Sequence, residues 1–197
     1  MAEVGEAKRR LLRGELYRPD AELGREHERA VHLVERYNAA SPTDQDGLDA
    51  ILAELLGEVG EGVIVKQPFR CDYGSRISIG DGTFVNLDCV LLDTAPITIG
   101  RSCQLAPRVQ LLTATHPIDP EPRRAGWESA APIVVADNVW LGAGAIVCPG
   151  VEIGADTVVG AGAVVVHDLP AGVVAGGVPA RVLREIGEAD RVEVPEA

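Results

Sequence analysis

Aliphatic side chains return every six residues through the second half of the chain. Neither an α-helix, with a period of 3.6, nor a flat strand, with a period of two, gives this spacing. It predicts a coiled parallel β-structure in which each unit supplies two inward side chains and then a turn. The first ladder is Val135, Leu141, Val147, Ile153, Val159 and Val165. The second runs two residues ahead, as Ile133, Val139, Ala145, Val151, Thr157 and Ala163.

The same phase continues upstream, from Ile79 to Leu91 and from Ile99 to Leu111. Three units make a triangular turn of about eighteen residues, so the pattern predicts four clear turns and a less regular one near residues 63–74. Asp81, Asn138 and Asp156 are expected at corners that require a positive φ. Only 4% of the residues are aromatic, which suits a narrow prism with little room for large rings. We therefore predict an all-β fold.

Two interruptions break the repeat. The step after Leu91 is eight residues rather than six, so two extra residues bulge out near Asp93. The step from Leu111 to Val135 is 24, which extrudes a loop at residues 113–132. Long loops on compact scaffolds are usually functional or disordered, and the prolines in this one favour an ordered, functional loop.

An α-helical segment precedes the repeats. Asp20 is expected to cap a helix that ends near Asn38, and a second helix is expected from Asp44 to Gly57. Stacked repeats need such a cap at their end. The predicted organisation is a helical segment at 1–60, a β-helix domain at 61–187 and a tail at 188–197.

Composition and charge exclude several classes of partner. The formal net charge of −12 opposes binding to nucleic acid and to anionic membranes. The N-terminus has no apolar stretch of secretory length, and no apolar run is long enough to span a bilayer, so we expect a cytoplasmic protein. The cysteines lack metal-binding spacing and are interpreted as small hydrophobic or inert residues without chemistry. They are Cys71, Cys89, Cys103 and Cys148.

Motifs along nearly the whole chain resemble those of the maltose and galactoside O-acetyltransferases, a group that includes the nodulation acetyltransferases. The maltose branch is the most similar. The resemblance rests on GELYR at 14–18, FRCDYG at 69–74, NLDCV at 86–90, LAP at 105–107, TATHPIDP at 113–120 and NVWLG at 138–142. It implies a left-handed parallel β-helix of hexapeptide repeats, a homotrimer with active sites between subunits, and acetyl transfer from acetyl-coenzyme A to a sugar hydroxyl. No metal is implied.

His116, in the extruded loop, matches the catalytic histidine of this family. An imidazole is suited to remove the proton of a hydroxyl as that hydroxyl attacks a thioester, and no acyl-enzyme is needed. The resemblance places Asn86 and Asp93 in the sugar site, with Asp72 nearby. Tyr17 and Glu15 are further candidates there. From the residues alone, Asp72 is equally well explained as a turn residue, and Tyr17 as a packing aromatic.

For coenzyme A the resemblance implies a second set of residues: Trp140, Ala143, Ala161, Val166, His167, Arg181 and Arg184. Small side chains at Ala143 and Ala161 allow the pantetheine arm to approach the backbone, and the arginines can meet phosphates. The sequence alone also permits a packing role for Trp140 and a solvated tail for the arginines. Val166 and His167 depart from the Thr and Lys usual in the family, which predicts weaker or more pH-dependent phosphate binding.

Three other functions are compatible with such a prism. A zinc-dependent carbonic anhydrase needs three converging histidines, but two of the four in this chain, His27 and His32, fall on the predicted helix. A non-catalytic β-helix would need a flat array of threonines and no long loop. An acetyltransferase of the nodulation type, acting on amino-sugar oligomers, stays open because residues 121–131 have no clear family match.

Overall fold

Three parallel β-sheets form the three faces of a prism in the computed structural model, which describes residues 5–195. The first four residues of the predicted helical segment and the last two of the predicted tail lie outside the described residues. Sheet 1 contains β1 (Glu58–Val59), β4 (Ile77–Ile79), β7 (Ile97–Ile99), β12 (Ile133–Val135) and β15 (Glu152–Ile153).

The other two faces are built in the same way. Sheet 2 contains β2 (Ile64–Val65), β5 (Phe84–Val85), β8 (Gln104–Leu105), β13 (Trp140–Leu141) and β16 (Val158–Val159), followed by β18 (Val173–Gly177) and β19 (Ala180–Glu185). Sheet 3 contains β3 (Phe69–Cys71), β6 (Cys89–Leu92), β9 (Gln110–Leu112), β14 (Ile146–Val147) and β17 (Val164–Val165). The chain visits sheets 1, 2 and 3 in turn, which confirms the predicted parallel β-helix.

The register shows how long each coil is. Ile77 pairs with Ile97, a separation of 20 residues, while Val134 pairs with Glu152, a separation of 18. Ile97 also pairs with Ile133 although 36 residues separate them, so the loop leaves the stack and re-enters it one coil later. The longer early coils contain the extra residues expected beside Asp93.

The prism interior is filled by the predicted ladders. Leu105, Leu111, Leu141 and Val147 have no exposed surface, and their burial is the main source of stability in such a narrow core. Thr157, a ladder residue with a hydroxyl, is also buried and donates its hydrogen to the carbonyl oxygen of Pro170 at 2.7 Å. A buried polar group on the ladder is thus hydrogen-bonded, as it must be.

Three helices precede the prism: α1 (Glu6–Leu12), α2 (Ala21–Ala39) and α3 (Gln45–Leu55). The carboxylate of Asp20 accepts hydrogen bonds from the first turn of α2, and Asp44 does the same for α3. Both predicted helices are therefore confirmed, whereas α1 was not predicted. Tyr37 on α2 donates its hydroxyl to the carbonyl oxygen of Val65 at 2.6 Å and so attaches the helices to the first coil.

The extruded loop has its own secondary structure. Its stem is an antiparallel pair, β10 (Ala114–Thr115) with β11 (Ser129–Ala130), and its tip contains α4 (Pro120–Arg124). Beyond the prism, β19 folds back on β18 and is followed by a 3-10 turn at Glu188–Asp190.

The corners of the prism contain residues with positive φ and glycines that the close spacing of the coils requires. Asn138 and Asp156 have positive φ as predicted, but at Asp81 the positive φ is at the following residue, Gly82. At Gly80 the close spacing of coils is the constraint, because an added Cβ would lie 2.7 Å from the carbonyl carbon of Gly100.

Candidate active site

His116 lies at the mouth of a cavity of about 380 Å³, a size typical of small-molecule sites. The ring is solvent-exposed in the single chain, and the extruded loop carries it over the prism edge between sheets 3 and 1. A neighbouring cavity of about 620 Å³ is larger but contains no histidine. The lining of the His116 cavity comes from α2, two prism corners and the loop: Pro19, Leu23, Gly24, His27, Asp72, Tyr73, Thr94, Ala114, His116 and Glu128.

Asp72 lines this cavity together with His116, whereas Asp93 has a different place. Asp93 is fully buried, and its carboxylate accepts backbone hydrogen bonds from Asp72 at 3.1 Å, Tyr73 at 2.8 Å and Arg76 at 3.2 Å. These bonds fix the corner that carries Asp72 and Tyr73 into the cavity. Asp93 is therefore a structural residue of this corner, and its neighbour Thr94 lines the cavity instead.

The charge state of Asp72 reflects its surroundings. Burial raises its pKa, and the nearby charge of Asp93 raises it further, whereas His27 and the Thr94 hydroxyl lower it. The Thr94 Oγ1 lies 3.3 Å from Asp72 Oδ2 and donates to it. The cavity thus holds a carboxyl group that is harder to ionise than an ordinary aspartate.

A second imidazole, His27, faces the same cavity. Its Nδ1–H donates to the backbone carbonyl oxygen of Asp72 at 2.9 Å, and its ring packs edge-on against Tyr73 with centroids 6.0 Å apart. Burial raises the pKa of Tyr73 to about 12. Sequence reasoning missed both residues. For His27 a signal existed, because it lies four residues after buried Leu23 and three before buried Ala30, on the apolar stripe of α2.

The Tyr17 side chain is too buried to contact a sugar bound in the cavity. It is 1% exposed, and its hydroxyl donates to Glu128 Oε2 at 2.9 Å. Glu128, which sequence reasoning also missed, lines the cavity. Tyr17 therefore acts behind the cavity wall rather than on its surface. Glu15 is exposed and close to Arg10 and Arg13.

Three of the other predicted residues occupy a different edge of the prism. Asn86, Ala143 and Ala161 lie between sheets 2 and 3, whereas Asp72 and His116 lie between sheets 3 and 1. The whole width of sheet 3 separates the two edges. One chain therefore does not bring Asn86 and His116 to the same cavity. The half-buried Asn86 instead accepts a hydrogen bond from the Leu87 N–H at 2.8 Å.

The predicted coenzyme A residues are exposed, which leaves them accessible to a ligand. Trp140 is 54% exposed on the outer face of sheet 2, beside the edge formed by Ala143 and Ala161. Val166 and His167 follow β17, on the same edge as His116.

The two arginines lie on β19. Both terminal guanidinium nitrogens of Arg184, Nη1 and Nη2, donate to Asp190 at 2.7 Å, which holds the pKa of that carboxyl at about 2. A phosphate would have to compete with Asp190 for Arg184. Arg181 Nη1 donates to the carbonyl oxygen of Ala180 at 2.8 Å and carries no ion pair with a residue in the described range 5–195.

Within residues 5–195, no group of three or more His, Cys, Asp or Glu side chains could hold a metal ion. No helix there is both long enough and apolar enough to cross a bilayer.

Two family models match the chain. The maltose acetyltransferase hexapeptide capping motif matches residues 10–60, over the helices, and the bacterial transferase hexapeptide model with six repeats matches residues 132–167. Together with the prism and its histidine-bearing loop, these matches define the class of the protein as a hexapeptide-repeat transferase.

Similarity to individual proteins narrows the class. Nodulation protein L of Rhizobium meliloti is 44% identical over 89% of this chain and 96% of its own. The crystal structure of a maltose O-acetyltransferase from Clostridium difficile 630 has a TM-score of 0.92 and 41% identity, covering 94% of this chain and 100% of its own. A galactoside acetyltransferase in complex with coenzyme A has a TM-score of 0.92 and 34% identity, covering 95% and 94%. The chain therefore belongs to the maltose and galactoside acetyltransferase family, and it is an acyltransferase.

Proposed function

We propose that the protein transfers the acetyl group of acetyl-coenzyme A to a sugar hydroxyl in the cytoplasm, with His116 as general base. The imidazole removes the hydroxyl proton while the hydroxyl oxygen attacks the thioester carbonyl. The C–O bond of the ester forms, the C–S bond breaks, and the proton passes to the departing sulfur. The transfer is direct, without an acyl-enzyme. A positioned base of this kind contributes about 10²- to 10⁴-fold to the rate.

The observation that carries this proposal is the composition of the His116 cavity. Beside the imidazole it offers the carboxyl groups of Asp72 and Glu128 and the hydroxyl of Thr94. Such groups hydrogen-bond sugar hydroxyls from several directions, and a cavity of about 380 Å³ has room for a sugar ring.

The separation of the two prism edges supports a homotrimer. We propose that His116 and Asp72 of one protomer face Asn86, Ala143 and Ala161 of the next, with acetyl-coenzyme A in the seam. The edge at Ala143 suits the pantetheine arm, because a Cβ added at Gly144 or Gly162 would meet nothing within 4 Å. The structural neighbour solved with coenzyme A supports the choice of acyl donor.

Replacing His116 tests the mechanism. His116→Ala should lower kcat by about 100-fold or more while the trimer stays intact. Turnover is measured by the release of coenzyme A thiol, and assembly by sedimentation. His32→Ala is the matched control, because the side chain of His32 is 78% exposed on α2 and lies outside the cavity. Near-normal turnover in His116→Ala would refute the assignment of the base.

The acceptor is best sought with a panel of sugars. We propose a glucose or maltose type of acceptor, since the maltose branch is the most similar in motif. An amino-sugar oligomer is the second candidate, because the cavity lining contains two carboxyl groups and neither lysine nor arginine. Comparing kcat/KM for glucose, maltose and glucosamine oligomers distinguishes them, since carboxylates favour an ammonium group over a neutral hydroxyl.

A further inference from the structure

The N-terminal segment is attached to the extruded loop at one residue pair, Tyr17 and Glu128. The Tyr17 N–H donates to the Glu128 carbonyl oxygen at 2.9 Å, and the Glu128 N–H donates to the Tyr17 carbonyl oxygen at 2.9 Å. Next to this pair, the guanidinium of Arg18, the residue after Tyr17, lies 5.2 Å from the ring centroid of Trp127, the residue before Glu128. The loop wall of the cavity is therefore fixed from outside the prism.

The Tyr17 side chain adds a third bond to this pair. The ring is packed among Leu11, Leu23 and Tyr73, and its hydroxyl donates to Glu128 Oε2. Burial raises the pKa of Tyr17, and the hydrogen bond to Glu128 raises it further. The hydroxyl therefore keeps its proton, and remains a donor, over the whole pH range in which an imidazole base works.

The carboxylate of Glu128 is held at one oxygen and open at the other. Oε2 accepts from Tyr17, whereas Oε1 makes no hydrogen bond with any residue in the described range. Glu128 lines the cavity of His116, so its free oxygen is available to a ligand there. A glutamate side chain without a partner samples several rotamers, and fixing it in advance reduces the entropy lost on binding.

We propose that Glu128 binds a hydroxyl or ammonium group of the acceptor, and that Tyr17 is the positioning residue that orients it. This inference rests on the proposed function and names two residues that determine acceptor affinity. It also gives the N-terminal segment a role, since the segment supplies the group that sets the geometry of the loop wall.

Removing only the Tyr17 hydroxyl tests the inference. Tyr17→Phe keeps the ring in its cluster and should raise the acceptor KM about ten-fold, with little change in kcat or in the KM for acetyl-coenzyme A. Tyr37→Phe is the matched control, because Tyr37 is also 1% exposed and also loses one hydroxyl bond, but to the first coil. Its acceptor KM should equal that of the wild type.

A double-mutant cycle distinguishes positioning from general loosening. Glu128→Gln alone should raise the acceptor KM, and adding Tyr17→Phe to it should raise the KM little further, because the hydroxyl acts through the carboxylate. Additive effects, an unchanged KM in Tyr17→Phe, or an equal rise in Tyr37→Phe would each overturn the inference. If the wild type acetylates no sugar in the panel, the proposed function itself has failed.

Discussion

Replacing Asp93 by asparagine tests how the corner under the active site is held. The carboxylate is fully buried and accepts three backbone N–H groups, two at Oδ1 and one at Oδ2. Asparagine keeps the shape but replaces one acceptor oxygen with a donor. Two bonds change from charged to neutral, a loss of about 1 kcal/mol each, and a third N–H is left buried without an acceptor, a further 1–3 kcal/mol. We expect Asp93→Asn to lower the free energy of unfolding by about 3–5 kcal/mol.

The measurement is urea unfolding followed by circular dichroism at a fixed protein concentration, because the proposed trimer would make the apparent stability depend on that concentration. Asp137→Asn is the control. Asp137 also accepts a backbone N–H, from Arg101 at 2.8 Å, but its side chain is 45% exposed and water can replace the lost bond. Its urea midpoint should stay close to that of the wild type. Equal midpoints for Asp93→Asn and the wild type would refute the assignment of Asp93 to a structural role.

Two further predictions concern the coils and the acyl donor. Gly80→Ala should destabilise the protein by about 1–3 kcal/mol, because the new Cβ meets the backbone of the next coil at 2.7 Å. Gly24→Ala on α2, with nothing within 4 Å of the new Cβ, should instead stabilise it by about 1 kcal/mol, and thermal unfolding compares the two. His167→Lys should tighten acetyl-coenzyme A binding, because a lysine ammonium offers the phosphates a permanent positive charge. Identical binding titrations for both proteins would contradict this.

The prism could be predicted from the sequence because its inward positions repeat. Each ladder side chain packs against an equivalent side chain in the coil above and in the coil below. A single sequence period therefore predicts both the fold and which residues are buried. The helices α2 and α3 were predictable for a similar reason, since an aspartate caps each and an apolar stripe follows. The short α1 carries one fully buried residue, Leu11, and presents no such stripe.

The site was harder to predict because its residues come from elements without a shared period. Asp72 and His116, which line one cavity, were predicted from their motifs. Glu128 lies in a part of the loop that matches no motif, and its partner Tyr17 is 111 residues away in sequence. Asp93 was assigned to the sugar site from the family resemblance and its position at an interruption, whereas its carboxylate is buried and bonded to the backbone of the corner.

The chain re-enters the stack after the loop at the next strand of sheet 1, so a change of length in the loop and a change of length in a coil have different effects. Because Ile97 pairs directly with Ile133, residues can be added to or removed from the tip of the loop without altering any pair in the three sheets. One residue inserted inside a coil would instead reverse the orientation of every side chain up to the next corner. Acceptor preference can therefore diverge among relatives of this protein while the scaffold beneath it stays the same.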